Sequence, residues 1–469
     1  MSDGATIGHS AAGGHSAPGG HSAPGGHSAA TGQGARHRDD RAGKVRQLPA
    51  RRLTAGWHQA ARPASVGEHH ARYGPLPDLG RELADAVAAA GLTGRGGAGF
   101  PTGVKMRAVA GRRGGAVVVA NGMESEPASE KDQALLARTP HLVLDGAVLA
   151  ARAVGADIVH VCLDRMRDQQ IGELKRAVSE RRRARLDPVR VMVHALPGNY
   201  VSSEETSLVR WLNGGDARPV TTPPRPSDRG VGRRPTLVDN VETLAHVALI
   251  ARYGPGWFRS AGSSDAPGTF LVTAAGAVAG PGVYEVEGGT QAGDILEMSG
   301  AADDGHVLLG GYGGTWHPIS DVADLPLTAA GLRPAGASPG AGLVLALPAG
   351  YCGVTETARL LGYLARNSAQ QCGPCRFGLP AIADDFAQLA MGRQQGDLLG
   401  RLERRLGVIP GRGACRHPDG AVRLAASALT AFAADVRAHA AGHPCVPFRR
   451  GRPAPGMPIP RPGTEGEWR

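Results

Sequence analysis

The chain has 469 residues, long enough for two to four domains with sizeable cores. Its formal net charge of +10 does not demand a nucleic-acid partner, because residues 35–62 hold eight Lys or Arg against two Asp, and residues 447–469 hold five Arg against two Glu. There is no apolar run of about 18 residues and no secretory signal pattern, so we expect a cytoplasmic protein without a membrane span.

Residues 1–72 are predicted to be a disordered tail. Residues 1–34 repeat a Gly-Gly-His-Ser-Ala-Pro unit, and an Arg-rich stretch follows. Such segments bury too little apolar surface to offset the entropy of ordering them. Weak transition-metal binding is the alternative to a solvated tail, because four histidines lie six residues apart, at His9, His15, His21 and His27.

A glycine-rich loop, residues 94–105, is predicted to hold an anionic ligand. Glycine permits positive φ and close approach of the backbone, successive N–H groups form an anion-binding concavity, and Lys105 adds a charge. The match to G-x-G-x-x-G does not indicate an ordinary dinucleotide fold, because the preceding Arg81–Ala90 reads as a helix rather than a strand. A flexible linker is the alternative, and Phe100-Pro101 argues against it.

Residues 73–262 alternate helices and strands, which predicts an α/β domain with a parallel sheet. Ligands of such sheets collect at the carboxyl ends of the strands. Predicted strands are Ala116–Ala120, Asp157–Leu163 and Val189–Leu196; predicted helices are Pro140–Val154 and Met166–Arg185.

Polar clusters follow two of these strands, and a third cluster lies further on. Their carboxylates suit ribose hydroxyls, an adenine amino group or a flavin N–H, or else they are helix N-terminal charges. The clusters contain Asn121, Glu124 and Glu126; Tyr200, Ser203, Glu204 and Glu205; and Asp239, Asn240 and Thr243.

The remaining chain divides into a small β-rich domain (263–346), a four-helix bundle (347–446) and a basic Pro- and Arg-rich tail (447–469). The β-domain is predicted to contain strands Thr269–Val278, Pro281–Val286 and His306–Gly310 and a helix at Ala292–Met298. The predicted bundle helices lie around Leu360–Leu364, Ile382–Leu389, Leu398–Leu406 and Leu424–Val436.

Three cysteines indicate a redox or metal centre. Cys372 and Cys375 form a C-x-x-C held by glycine and proline, and Cys415 follows 40 residues later. This pattern fits a redox dithiol, a zinc site or an iron–sulfur site. The spacing alone does not choose between zinc and iron–sulfur.

Taken together, these motifs resemble one family, the NADH- and FMN-binding flavoprotein subunit of respiratory complex I and of soluble NAD-linked hydrogenases and formate dehydrogenases. The resemblance covers about residues 75–445. It implies an FMN-binding α/β domain, a small ubiquitin-like β-grasp (SLBB) domain and a helical bundle with a 4Fe–4S cluster. It rests on Gly-Arg-Gly-Gly-Ala-Gly-Phe-Pro-Thr-Gly (94–103), Asn121 to Pro127, Tyr200 to Thr206, Arg234 to Thr243 and Cys-Gly-Pro-Cys-Arg (372–376).

The resemblance implies that the glycine loop wraps FMN and the NADH diphosphate, with Phe100 on the adenine and Lys105 near phosphate. It implies no catalytic acid or base. The cysteines Cys372, Cys375 and Cys415 become cluster ligands. The implied FMN and NAD(H) residues are Gly94, Arg95, Gly96, Gly97, Ala98, Gly99, Phe100, Lys105, Asn121, Glu124, Glu126, Tyr200, Ser203, Glu204, Glu205, Asp239, Asn240 and Thr243.

The chain departs from the family pattern at several positions. Ala369 stands where the cluster motif has its first cysteine. Three cysteines imply a 3Fe–4S centre, or a 4Fe–4S centre completed by water or another residue, with Cys352 and Cys445 as candidate substitutes. A family aspartate and several nucleotide-contacting residues are replaced at Met123, Ala108, Thr222 and Arg225.

The implied function is that of an NADH dehydrogenase-type flavoprotein. It would pass electrons from NAD(P)H through FMN and an iron–sulfur cluster to a ferredoxin-like or thioredoxin-like 2Fe–2S partner. One alternative is an FMN and iron–sulfur electron-transfer module that does not use NADH. The other is a cofactor-free scaffold.

Overall fold

The structure of the chain is a computed structural model. It describes most residues from Arg51 to Cys445 and parts of the C-terminal segment. The predicted His-repeat tail, residues 1–34, lies outside the described residues. The described ranges are 51–57, 62–302, 304–348, 350–393, 396–445, 454, 456–460 and 468–469.

Two stretches predicted to be disordered pack against the protein body. The backbone N–H groups of residues 52–54 donate to the Glu285 carboxylate at 2.9–3.0 Å. The first helix, α1 (Val66–Tyr73), begins with a capping box. The prediction of a disordered tail is therefore wrong for residues 51–57 and 62–72. Composition alone could not reveal a buried carboxylate more than 200 residues away.

The first sheet contains four parallel strands in the order β3-β2-β1-β4. β1 lies between β2 and β4, so the connections run to either side of it and make a switch point at its carboxyl end. The strands are β1 (Ala116–Gly122), β2 (Ala156–Asp164), β3 (Arg190–Leu196) and β4 (Thr236–Asn240). The three predicted strands and the parallel sheet are confirmed, whereas β4 was not predicted.

Helices cover this sheet and contribute most of its hydrophobic core. α5 is buried almost throughout and packs against α8, an approach that requires glycine at position 146, where a Cβ would lie 1.7 Å from the Leu244 carbonyl oxygen. The helices are α2 (Leu83–Ala90), α3 (Thr102–Ala110), α4 (Lys131–Arg138), α5 (Pro140–Val154), α6 (Asp168–Arg183), α7 (Glu205–Leu212) and α8 (Val241–Arg259).

None of the helices in the described ranges is by itself long and apolar enough to cross a membrane. One pair, α4 and α5, passes the length and composition test together, but the two helices meet at a bend of 97°.

The second sheet is mixed, with the order β6-β5-β9-β7-β8, and only β5 and β9 pair in parallel. α9 packs Ile295 and Leu296 against its buried face. The elements are β5 (Thr269–Gly276), β6 (Gly282–Glu287), α9 (Ala292–Met298), β7 (His306–Leu309), β8 (Thr315–Pro318), α10 (Ile319–Val322), α11 (Ala329–Leu332) and β9 (Leu343–Ala346). The predicted α9 and the first three strands agree with the structure; β8 and β9 were not predicted.

The C-terminal region is helical. Its elements are α12 (Gly353–Arg366), a π-helical turn (Pro374–Gly378), α13 (Leu379–Ala390), α14 (Leu398–Val408), α15 (His417–Ala431) and α16 (Ala433–Ala440). The segment predicted as one helix, Leu424–Val436, is helical but interrupted, because the chain breaks at Phe432 into α15 and α16.

α12 and α15 run antiparallel. His417, at the start of α15, places Nε2 2.8 Å from the carbonyl oxygen of Leu364, near the end of α12. At the opposite end, the ring of Phe432 fills the space that a side chain at Gly353 would occupy. The two ends of α12 therefore face different parts of the helical region.

The described parts of the basic C-terminal tail also pack on the body. Met457 and Trp468 are buried, and the carbonyl oxygen of Trp468 accepts the backbone N–H of Ala217 at 2.8 Å. The hydroxyl of Tyr312 donates to the carbonyl oxygen of Pro458. These residues of the basic tail are therefore part of the packed protein body.

Candidate functional site

The candidate site begins where β1 and β4 end side by side. Asn121 and Asn240 are register partners across the parallel pair. Asn240 caps α8 by accepting the N–H of Glu242 at 2.9 Å, and its amide donates to the Asp132 carboxylate at 2.6 Å. Both asparagines are thus fixed at the switch point of the sheet, where parallel sheets bind ligands.

The predicted glycine loop lies against this edge. A Cβ at Gly96 would lie 3.4 Å from the Cβ of Asn240, and the backbone N–H of Arg95 donates to the hydroxyl of the fully buried Thr243 at 2.8 Å. Gly97 and Gly99 have φ of 101° and 63°, a region that favours glycine. The loop leads directly into the N-terminus of α3, which supports anion binding.

Residues 96–100 of the loop are exposed, including Ala98 and the ring of Phe100. Phe100 is 46% exposed, an unusual position for a large aromatic side chain. Its ring is therefore accessible to a ligand. That it stacks on adenine stays a prediction.

Lys105 points toward carboxylates. Its Nζ lies 3.2 Å from Glu205 and 3.8 Å from Asp239, and it donates to the Val238 carbonyl oxygen. Burial raises the pKa of Asp239 to about 6, against the charge of Lys105, and its Oδ2 has no hydrogen-bond partner among the residues that the structure describes. Lys105 is thus engaged with Glu205 and Asp239, and a phosphate would have to compete with them.

Glu124 holds the N-terminus of α4. Its carboxylate accepts the N–H groups of Asp132 and Gln133 and the hydroxyl of Ser129, at distances from 2.6 to 3.1 Å. Burial and the charge of Asp132 raise its pKa to about 7. Of the two roles expected for this carboxylate, its contacts support the one at a helix N-terminus.

Glu126 joins the two sheets. One oxygen accepts the Tyr200 hydroxyl and the backbone N–H of Tyr312, both at 2.9 Å, while the buried Oε1 finds no partner within the described part of the chain. Burial raises the pKa of Glu126 to about 7. An unpaired buried carboxylate oxygen is costly, so this group is a candidate acceptor for a ligand hydroxyl or N–H.

The β3–α7 connection, residues 197–204, reaches the end of β1. The amide of Asn121 donates to the carbonyl oxygen of Ser203 at 2.8 Å, and the hydroxyls of Ser203 and Ser125 lie 2.5 Å apart. Glu204 caps α7 through the N–H groups of its first turn. This connection therefore forms one wall of the strand-end site.

The same connection contacts the cysteine region, because the ring centroid of Tyr200 lies 5.4 Å from that of His417, two residues after Cys415. Burial raises the pKa of Cys415 to about 11, and the charges of Glu204 and Cys372 act in the same direction. Burial, with the charges of Cys372 and Cys415, also raises the pKa of Cys375. These mutual influences, together with the Tyr200–His417 contact, indicate that the three predicted cysteines lie near one another and near the strand-end site.

Ala369, at the position of the first cysteine in the family motif, is surrounded by apolar side chains. It is 6% exposed and packs in a small cluster with Val201 and Trp468. Cys352 and Cys445 lie in a different place. Cys352 caps the start of α12, whereas Cys372 follows its end, and a helix of 14 residues is about 21 Å long. They do not supply the missing ligand.

The residues fit the groups that the resemblance implies. An exposed glycine loop before a helix suits a phosphate, while Glu126 and Asp239 each keep a buried oxygen unpaired. Three clustered thiols suit iron–sulfur ligation. Sequence reasoning missed Ser125, Asp132 and Tyr312, whose contacts at the site depend on strands and loops that the sequence did not place.

Comparisons with known proteins agree with this arrangement. Residues 87–249 match the family described as the Nuo51 FMN-binding domain, and residues 355–439 match the NADH-ubiquinone oxidoreductase-F iron-sulfur binding region. Fold, site and matches together define an FMN-binding, iron–sulfur flavoprotein. The relatives below narrow this class.

The chain is 33% identical over 380 residues to a subunit of the NADH-quinone oxidoreductase of Streptomyces coelicolor, covering 84% of that protein and 78% of this chain. It is 34% identical over 384 residues to the corresponding subunit of the Escherichia coli enzyme, covering 85% of that protein and 78% of this chain. The chain belongs to the family of these NADH-quinone oxidoreductase subunits.

Among solved structures, a chain of an NAD⁺-reducing [NiFe]-hydrogenase in the air-oxidised state is similar, with a TM-score of 0.71 and 32% identity. The similarity covers 76% of this chain and 62% of the hydrogenase chain. This chain therefore spans less than two thirds of that relative.

Proposed function

We propose that this protein is the NADH-oxidising flavoprotein subunit of a larger oxidoreductase. It takes electrons from NADH or NADPH and delivers them through FMN and an iron–sulfur cluster to a ferredoxin-like or thioredoxin-like 2Fe–2S protein. The observation that carries the proposal is the β3–α7 connection. Through Ser203 it contacts the strand-end site, and through Tyr200 it contacts His417, two residues after Cys415.

FMN supplies the conversion between two-electron hydride transfer and one-electron transfer. The chain's own contribution is binding and orientation. The N–H groups of the glycine loop and of the start of α3 bind phosphate, and Asn121, Asn240 and the unpaired oxygen of Glu126 offer polar partners at the strand ends. Glu124 and Glu204 act indirectly, by fixing the helices that border the site.

Cys372, Cys375 and Cys415 hold the cluster. The apolar wall around Ala369 supplies no fourth ligand, which favours a 3Fe–4S centre or a 4Fe–4S centre with a ligand from outside this wall. Burial of Cys375 limits the access of solvent to the cluster side.

The proposal extends to the domain organisation. Residues 73–262 would be the FMN and nucleotide domain, and residues 263–346, with their mixed sheet and α9, the ubiquitin-like SLBB domain. Residues 347–446 would be the iron–sulfur four-helix bundle, which α16 extends. We also propose that the protein works in the cytoplasm, alone or peripheral to a membrane complex.

The test is spectroscopic. Protein purified without air should contain FMN, iron and acid-labile sulfide, and NADH should bleach the flavin absorbance within seconds. The Cys375→Ala variant should lose iron and sulfide but keep FMN. Protein that folds normally without flavin would reject the proposal and favour a scaffold.

A second function has one observation in its favour. The positions where the family contacts the dinucleotide, Ala108, Thr222 and Arg225, are small or exposed here. This favours an electron-transfer module with FMN and a cluster but no use of NADH. In that case flavin would be present, NADH and NADPH would leave it oxidised, and reduced ferredoxin would bleach it.

A further inference from the structure

A second cysteine cluster lies at the other end of α12, away from the three cysteines of the proposed iron–sulfur site. The sulfur of Cys352 lies 3.4 Å from Nε2 of His439, and the sulfur of Cys445 lies 3.1 Å from the same nitrogen. All three ligand atoms fall within 4.8 Å of one another. Cys352 and His439 are buried, and Cys445 is half-buried.

The tautomer of His439 is fixed by its surroundings. Nδ1 lies 3.1 Å from the carbonyl oxygens of Leu389 and Ala390, which can only accept, so this nitrogen carries the proton. Nε2 therefore presents a lone pair toward both sulfurs. It accepts the backbone N–H of Cys445 at 3.1 Å, a hydrogen bond that a metal ion would replace. Backbone carbonyls that hold the far nitrogen are the usual support of a metal-binding histidine.

The two sulfur–nitrogen distances are close to those of a tetrahedral zinc site. Zn–S bonds of about 2.3 Å and Zn–N bonds of about 2.0–2.1 Å place sulfur and nitrogen about 3.5 Å apart. The two observed sulfur–nitrogen distances are 3.4 and 3.1 Å, so a small outward shift of Cys445 admits the ion. Two thiolates and one imidazole favour zinc over hard cations such as magnesium or calcium.

The three ligands lie on separate elements of the helical region. Cys352 is the N-cap of α12, His439 lies near the end of α16, and Cys445 follows α16 after a turn. An ion bound by all three would fasten the chain after α16 to the start of α12. Thiolate at a helix N-terminus is also electrostatically favourable.

We propose that Cys352, His439 and Cys445 bind one Zn²⁺ ion, with water at the fourth position, as a structural clamp on the helical region. The half-exposed Cys445 leaves that fourth position open to solvent. The rival for the same geometry is a disulfide between the two cysteines, which requires an oxidant. The site is independent of the proposed cluster and of electron transfer.

Zinc and iron are counted separately in full-length protein purified in the presence of reductant. Wild type should contain one more zinc per chain than Cys445→Ser and than His439→Gln, with iron unchanged in all three. His443→Gln, a neighbouring histidine outside the group, should keep the zinc. Wild type and every variant retain the histidines of residues 1–34. Any zinc bound there is therefore the same in all samples and does not affect the difference in zinc content. Equal zinc in wild type and both variants would overturn the proposal.

A measurement on wild type alone covers the case in which a variant fails to fold. Cys352 and Cys445 should resist alkylation in the native protein and become reactive after a zinc chelator is added, whereas Cys162, buried in the first sheet, should stay protected. The chelator should also lower the melting temperature by several degrees. Linked Cys352–Cys445 peptides in reductant-treated protein, or alkylation that ignores the chelator, would reject zinc binding.

Discussion

The rings of Tyr200 and His417, with centroids 5.4 Å apart, bring the β3–α7 connection, which contains Glu204, next to Cys415. Burial, together with the negative charge of Glu204, raises the pKa of Cys415 to about 11. Glu204 is also the N-cap of α7, in the connection that touches the end of β1. One residue thus belongs to both halves of the proposed electron path.

Glu204→Gln should make the cluster easier to reduce. The amide keeps a cap acceptor for α7 but removes a negative charge near Cys415, so the midpoint potential should rise by an amount on the order of tens of millivolts. A redox titration followed by electron paramagnetic resonance measures it. Glu205→Gln is the control, because that carboxylate faces Lys105. Equal potentials for the two variants would show that Glu204 does not act on the cluster.

Ala369→Cys should complete the cluster motif. The new thiol would replace an apolar contact with Val201 and offer a fourth cysteine ligand, so iron should rise from about three to about four atoms per chain. The resonance signal of an oxidised 3Fe–4S centre should disappear. Ala365→Cys, another buried alanine four residues earlier, should change neither. Four irons in the unaltered protein would instead mean that a non-cysteine ligand is already present.

Gly99→Ala should lower FMN content several-fold. Gly99 has φ of 63° in the glycine loop, and Gly155, after α5, has φ of 72°; a Cβ at either would meet nothing within 4 Å. Either alanine should therefore cost about 1 kcal/mol in the free energy of unfolding, through backbone strain alone. Flavin fluorescence of purified protein and urea unfolding separate the effects. Equal flavin content in both variants would remove the loop from the binding site.

Much of the α/β domain could be predicted, because its strands are apolar runs and its helices carry clear periodicity. The helix Pro140–Val154 has the predicted bounds. β4 could not be found in this way. Its five residues, Thr-Leu-Val-Asp-Asn, run straight into α8 and carry polar groups at the end that binds ligands. Yet β4 decides the strand order and puts Asn240 beside Asn121.

The candidate site residues were predicted from motifs, but their partners in the fold were not. Nothing in the sequence says that Glu126 meets Tyr312 from the second sheet, or that Lys105 faces Asp239. Likewise, the sequence presented Cys352 and Cys445 as spare cluster ligands. The structure places Cys352 at the start of α12, whereas Cys372 follows its end. It also places His439 beside Cys352 and Cys445, which the sequence did not predict.

Glu126→Gln should remove part of the pH dependence of stability in cofactor-free protein. The pKa of Glu126 in the folded state is about 7, above its ordinary value of 4.5, because the group is buried. Because the folded-state pKa is raised, Glu126 makes a contribution to the free energy of unfolding that is full below pH 4.5. That contribution is lost as the pH rises through about 7. A shift of this size corresponds to at most about 3 kcal/mol.

Urea unfolding at pH 5 and at pH 7.5 measures the effect. Wild type should lose more stability than Glu126→Gln between these pH values, since the amide cannot ionise but still accepts from Tyr200 and Tyr312. Glu124 and Asp239, whose pKa values are also raised by burial, titrate in both proteins and cancel in the comparison. The exposed Glu130→Gln should behave as wild type. Parallel pH profiles for Glu126→Gln and wild type would mean that Glu126 is already ionised in the folded protein.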